Sequence, residues 1–272
     1  MIRIRDIQQG IKDMGFASYD EDIQSRFFQA TRIREKEHEA MKNEPATATK
    51  LKAFAAPQPR PLPIIVLADT SGSMAENGKI DALNVALGQM IKSFAQESRL
   101  RAEIQVGLIT FGGREAQQYL PLVAAQRIEG MQALQASGAT PMGSAFTLAR
   151  TLLEDKVLVP SRAYRPVVVL VSDGEPNDDW EAQLEALKTC ERGSKASRFA
   201  LAIGADADRD MLARFANDRE APVFEAHEVR DIVRFFRAVT MSVVARSSSA
   251  TPDQPVGLEL DAALDDLDLD AL

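Results

Sequence analysis

In LPIIVLADTSGSM, Leu62 to Met74, an apolar run ends abruptly in an acid followed by three hydroxyl residues around one glycine. Asp69, Ser71 and Ser73 thereby stand at alternate positions just beyond the run. Two later stretches have the same character. ASGATPMG places Thr140 before a helical segment, with Pro141 at a favoured first-turn position, and VVVLVSDGEPND places Asp173 just past another apolar run. These five side chains offer only oxygen: two carboxylates, two serine hydroxyls and one threonine hydroxyl. Hard divalent cations take oxygen ligands, and Mg²⁺ prefers a compact octahedron that keeps some of its water. Small hydroxyls with two carboxylates, partly acting through water, suit Mg²⁺ or Mn²⁺. Ca²⁺ is the alternative, although a closed Ca²⁺ cage normally has more carboxylates. No Cys/His pair stands at zinc spacing, and the two histidines, His38 and His227, are far apart in sequence. A site of this kind keeps an open coordination position, whose natural occupant is a carboxylate from outside.

Competing chemistries fit less well. Asp and Ser in DTSGS could simply cap a following helix. The path from Gly72 to Gly78-Lys79 is one residue too long for a phosphate-binding G-x-x-x-x-G-K-[ST] loop, and Ile80 replaces its hydroxyl residue. An aspartyl-phosphate hydrolase needs a second acid two positions after its nucleophile, where this chain has Ser71. Neither histidine has an evident triad partner, so the expectation is a protein that is not an enzyme.

The elements that must position these residues alternate in type. Strands are expected over Leu62–Ala68, Ile104–Phe111, Val167–Ser172 and Phe199–Ile203, with a shorter one near Pro222–Phe224. Most are nearly continuous Val, Ile and Leu, as in parallel strands covered on both faces. Helices are expected over Asp81–Ala95, Met142–Glu154, Trp180–Cys190, Asp208–Phe215 and Val229–Val244, and Gln117–Ile128 reads as a short antiparallel edge strand plus loop. This order predicts an α/β fold, an open doubly wound, mostly parallel sheet with helices on both faces. In such sheets ligands bind beyond the carboxyl ends of the strands, where the three polar loops would meet.

D-x-S-x-S after a strand, a threonine in a Gly-Ala-Thr-Pro loop and an S-D-G-E turn together resemble the von Willebrand factor A domain and its metal-ion-dependent adhesion site (MIDAS). The resemblance covers about residues 62–245, and Asp69, Ser71, Ser73, Thr140 and Asp173 each match. It implies that Ser71 and Ser73 ligate a metal directly and that Thr140 does so in a ligand-bound state. Asp69 and Asp173 would then act largely through water or by hydrogen-bonding the ligand hydroxyls. The partner would be a protein that completes the metal shell with an Asp or Glu. DTSGSM, ASGATPMGSAF and RPVVVLVSDGEPND are most similar to the bacterial TerY-like proteins. That similarity implies tellurite and stress resistance or phage defence, with a Ser/Thr kinase and a PP2C-like phosphatase as partners. The alternative is a subunit serving an AAA+ (MoxR- or chelatase-like) ATPase; a metal-dependent hydrolase is a third reading.

Three zones are expected: 1–60, an N-terminal helical extension and Pro-rich linker; 61–246, the domain; and 247–272, a linker and acidic Leu-rich tail. The first contains a charged helix over Asp20–Glu44, with Ser18 or Asp20 as cap and Pro45 as stop, then a spacer with Pro57, Pro59, Pro61 and Pro63. Ile23, Phe27, Phe28 and Ile33 give that helix an apolar surface that needs a packing partner. In the tail, Leu260, Leu264 and Leu267 share one helical face, which reads either as solvated disorder or as a docking peptide. A tail acid reaching the metal site of a second copy would give self-association. Phosphorylation within Ser247–Ser249 would regulate this hinge if a kinase is the partner.

The formal net charge is −8, and residues 258–272 hold six acids and no base, so the rest of the chain is near neutral. Direct nucleic-acid binding is not expected. The longest apolar runs are too short to span a bilayer, the N-terminus lacks a signal-peptide core, and Cys190 is the single cysteine, so a cytoplasmic protein is expected. Cys190 is read as a small apolar group, Trp180 as packing, and His227 as the cap of the last helix. Glu175, Asp178 and Asp179 are read as rim or cap residues for the helix that follows them.

Overall fold

The computed structural model describes residues 59–97, 101–217, 223–254 and 257–258. The expected helix Asp20–Glu44, most of the proline spacer and the acidic leucine tail lie outside the described residues.

Six strands form one sheet in the order β3-β2-β1-β4-β5-β6. They are β1 (Arg60–Asp69), β2 (Ala102–Gly112), β3 (Glu115–Ala124), β4 (Val167–Ser172), β5 (Ser197–Ile203) and β6 (Phe224–Ala226). Only β3 runs antiparallel, against β2 at one edge. The helices are α1 (Lys79–Gln96), α2 (Met142–Glu154), α3 (Glu181–Thr189), α4 (Arg209–Phe215) and α5 (Val229–Ser248). The expected doubly wound, mostly parallel fold is therefore the observed one.

The strands are buried on both faces, which explains their continuous apolar runs. Leu62, Ile64, Val66, Val167, Val169 and Val171 pack on one face with Leu83, Leu87 and Phe94 of α1 and Ile232, Phe235 and Val239 of α5. The alternate residues Ile65, Leu67, Val168 and Leu170 pack on the other with Phe146 of α2, Leu184 of α3 and Phe215 of α4. Three layers result, with β1 at the centre.

Some elements differ from expectation for local reasons. β1 starts at Arg60, two residues before the expected Leu62, so Pro61 of the spacer lies inside it together with Pro63. The β1–β4 ladder begins only at Ile64↔Val167, so the missing proline amides leave no rung unmade on that side. Pro61 still accepts a hydrogen bond from the Tyr164 amide at 2.8 Å. The edge segment near Gln117 is a full ten-residue strand, exposed along much of its length, whose polar residues conceal the strand period. The short strand expected near Pro222–Phe224 begins at Phe224 and runs to Ala226.

The last helix extends past Val244 to Ser248, and the expected hinge serines begin inside it: Ser247 is buried and its hydroxyl bonds to the Val244 carbonyl at 2.9 Å. Its cap is Glu228, in a capping box with Asp231, and not His227, whose side chain is exposed. From the last turn of the helix, Arg246 donates to the carbonyls of Pro252 and Arg165, while Asp253 accepts from the Arg165 amide and the Arg60 guanidinium.

Candidate metal centre

Strand order reverses direction of winding between β1 and β4, and the loops leaving their carboxyl ends border the resulting crevice. Asp69 is the last residue of β1 and Asp173 the first after β4, both fully buried. The β1 loop continues as a 3₁₀ turn, Gly72–Gly78, into α1. The third loop, carrying Thr140, crosses from the β3 side and enters α2.

Close backbone contact fixes these loops to one another. The Gly72 amide donates to the Gly138 carbonyl at 3.0 Å, and the Ser137 amide to the Thr70 carbonyl at 2.8 Å. Gly138 has φ +79°, and a Cβ there would stand 2.4 Å from the Gly113 Cα, so only glycine fits. The Asn177 amide donates to the Thr140 carbonyl at 3.1 Å. Asp178 accepts from the Gly143 and Ser144 amides at 2.8 and 2.9 Å. Asp178 thus caps α2, not the helix that follows it in sequence, and ties the Asp173 loop to the Thr140 loop.

The five expected residues converge. Asp69 Oδ1 accepts from the Ser71 amide at 2.8 Å, which folds the loop back over the strand end. Ser71 Oγ and Ser73 Oγ lie 3.0 Å apart, and Ser73 Oγ donates to Asp173 Oδ1 at 2.7 Å. A Cβ at Gly174 would be 3.8 Å from Thr140 Oγ1 and 3.9 Å from Ser73 Oγ, which places both hydroxyls around the same glycine. Ser71 and Thr140 are buried, whereas Ser73 faces solvent.

Two participants were not anticipated. Ser172 Oγ donates to Asp69 Oδ2 at 2.5 Å. Lys79, at the start of α1, places its ammonium 2.6 Å from Asp173 Oδ2 and 3.5 Å from the Ser73 carbonyl. Lys79 stands out in the sequence only through the Gly78-Lys79 pair, which matches no phosphate loop. Burial raises the Asp69 carboxyl from 3.8 to about 6, opposed by hydrogen bonds from Ser172 and Ser71 and reinforced slightly by the negative charge of Asp173.

Chemically, this is a set of hard oxygen donors with two carboxylates. No group of three or more His, Cys, Asp and Glu is gathered among the described residues, so the protein's own donors beyond the two carboxylates are the hydroxyls of Ser71, Ser73 and Thr140. Two cavities of about 390 and 510 Å³ lie elsewhere, one lined by Asn84, Ile91 and Met131, the other by Arg150, Glu154 and Cys190. Cys190 itself is half-buried, and burial pushes its thiol up. Trp180 packs on the α2–α4 side of the sheet, with the Arg214 guanidinium 4.6 Å from its ring centre. No helix among the described residues is long and apolar enough to cross a membrane.

The profile of the von Willebrand factor type A domain matches residues 64–238. Solved structures share the fold at low identity. Proximal thread matrix protein 1 from the mussel byssus, described in one structure with a zinc-occupied MIDAS motif, aligns with TM-score 0.54 and 16% identity over 69% of this chain and 48% of that one. A von Willebrand factor type A protein from Catenulispora acidiphila aligns with TM-score 0.54 and 20% identity over 67% and 42%. The pilus adhesin SpaC from Lactobacillus rhamnosus GG, in its open conformation, gives 0.56 and 16% over 68% and 30%. The matched region spans less than half the length of each of these chains. No curated protein matches the sequence. The profile match covers well over half of the chain, which therefore belongs to the von Willebrand factor type A domain family.

Proposed function

We propose that the protein is a non-catalytic, metal-dependent interaction module that binds a partner protein's Asp or Glu. Ser71, Ser73 and Thr140 would hold the cation by their hydroxyls, with Asp69 and Asp173 supplying charge through water and hydrogen bonds. One observation carries the reading: hydroxyls and carboxylates from the ends of two different strands meet within hydrogen-bond distance, with Ser71 Oγ 3.0 Å from Ser73 Oγ. Adjacent ligands of an octahedron with Mg–O distances of about 2.0–2.1 Å lie about 2.9 Å apart. That spacing and the all-oxygen set favour Mg²⁺, with Mn²⁺ and Ca²⁺ behind it. The zinc-occupied motif of the mussel protein supports a divalent ion in this fold.

A bound cation would supply an electropositive open position for a carboxylate oxygen. The chain's own residues prepare the site. Asp173 accepts the Ser73 proton at 2.7 Å and so turns that hydroxyl's lone pairs away from itself. Asp69 holds the Ser71 amide and fixes the loop. Asp178 and Gly138 hold Thr140 at the same rim.

The setting proposed is the bacterial cytoplasm, in a TerY-like stress-resistance or phage-defence system, with a Ser/Thr kinase or phosphatase as the enzyme served. Its support is the likeness of DTSGSM, ASGATPMGSAF and RPVVVLVSDGEPND to that group. Affinity capture from lysate of the source cell tests it, comparing wild type in Mg²⁺, wild type in EDTA, and a folded Asp69→Ala/Asp173→Ala variant. A kinase or phosphatase retained only in the first sample is the expected result. Retention in all three would overturn metal-gated binding, and a Walker-type ATPase in the first sample would replace the kinase reading.

A further inference from the structure

Lys79 is an unusual neighbour for a cation site. It opens α1, where the helix dipole disfavours a positive charge. Its side chain is nevertheless only 15% exposed, and its ammonium meets a carboxylate with no exposure at all. The two oxygens of Asp173 are divided: Oδ1 takes the Ser73 hydroxyl and Oδ2 takes Lys79. A buried carboxylate without a counter-charge is costly, and Lys79 supplies that charge here. Asp69 is held by different donors, the Ser71 amide on one oxygen and the Ser172 hydroxyl on the other.

We propose that Lys79 is a tethered competitor of the metal: its ammonium and a divalent cation neutralise the same Asp173 carboxylate in turn, and Lys79 leaves Asp173 when the cation is bound. The inference rests on the metal-binding reading above. A cation held by Ser71 and Ser73 would lie within a few ångströms of the ammonium, because Ser73 and Lys79 bond to the two oxygens of one carboxylate. Repulsion between a divalent and a monovalent cation at that distance, in a partly buried setting, exceeds thermal energy. Lys79 has somewhere to go. Gly78 before it lies in the left-handed region with φ 71°, the preceding turn is largely exposed, and the lysine stem is long and flexible. Such a competitor lowers the apparent affinity for metal and keeps the buried acid compensated at low metal concentration. Occupancy then follows the supply of free cation instead of staying saturated.

The test uses the full chain as wild type, Lys79→Met and Lys79→Arg, titrated with Mn²⁺ by calorimetry and melted in EDTA and in Mn²⁺. Lys79→Met, which keeps the stem and removes the charge, is expected to bind Mn²⁺ at least tenfold more tightly than wild type. It should also melt lower in EDTA and gain more from Mn²⁺, whereas Lys79→Arg stays close to wild type. A lysine that only positioned Asp173 would give the opposite result: weaker binding in Lys79→Met overturns the proposal, and so does equal binding. If wild type and both variants all fail to bind Mn²⁺, the metal reading itself falls, and the inference falls with it. A measurement on wild type alone guards against misfolded variants. Reductive methylation of Lys79, scaled to exposed Lys156, should be slow in EDTA and fast in Mn²⁺; unchanged protection overturns the exchange.

Discussion

At the residue scale the site is a problem of charge in a confined space. Asp69 and Asp173 are buried within one hydrogen-bonded cluster, and each is held by a different device: two hydroxyl or amide donors for Asp69, a hydroxyl and an ammonium for Asp173. Ser73 is the exposed member, yet its hydroxyl serves the buried Asp173. Ser73→Ala is expected to weaken Mn²⁺ binding tenfold or more in calorimetry and to lower stability in EDTA by about 1–3 kcal/mol, because Asp173 Oδ1 loses its donor. Asp69 adds one component to the pH dependence of stability in the acid range. Its carboxyl is raised from 3.8 to about 6, so the folded state favours the neutral form. That contribution is fully present below the unfolded value and is lost as pH rises through the folded one. In EDTA, urea melts should therefore show a loss of stability between about pH 4 and pH 6 that levels off above this window. Asp69→Asn, which stays neutral, should remove this component; an unchanged slope would refute the assignment.

At the element scale, the loops matter more than the strands they follow. Gly138 sits where the Thr140 loop touches the β2–β3 turn, and any side chain must both adopt φ +79° and displace Gly113. Gly138→Ala is expected to cost about 1–3 kcal/mol and to weaken Mn²⁺ binding by shifting Thr140. Asp178 works from the other side by capping α2. Loss of that cap in Asp178→Ala should cost about 1 kcal/mol, and chemical denaturation measures it directly. Both variants act on Thr140 without touching any donor, so a fall in metal affinity in either would show that backbone clamping sets the site.

At the scale of the described domain, the end of α5 and the segment after it are tied down by buried charge. Arg246 is almost fully buried and reaches the Pro252 and Arg165 carbonyls. Desolvation holds its guanidinium below the usual arginine range. One of its nitrogens, Nη1, has no hydrogen-bond partner. Truncation to alanine leaves those carbonyls unmatched and opens a cavity, so Arg246→Ala is expected to destabilise by about 2–4 kcal/mol in denaturant melts. The neighbouring Asp253–Arg60 pair is half exposed and should contribute little by itself.

What the sequence determined unaided follows from period and punctuation. Continuous Val/Ile/Leu runs ending in polar loops define β1 and β4 because both faces of a parallel strand are buried, and Met142–Glu154 and Val167–Ser172 are observed with the bounds expected. The five oxygen-bearing residues were legible because D-x-S-x-S and S-D-G-E each follow an apolar run and Thr140 stands in a Gly-Ala-Thr-Pro loop before a helix. Less legible were β3, whose exposed polar residues mask its period, and the prolines of β1, tolerated only because β4 starts late. Other features depend on contacts between segments distant in sequence, which no local pattern encodes. Asp178 caps a helix 35 residues before it, Ser172 holds the acid at the end of another strand, and Lys79 crosses 94 residues of sequence to Asp173. Local periodicity specified the elements and the donor types; the order of strands in the sheet decided which charges face one another.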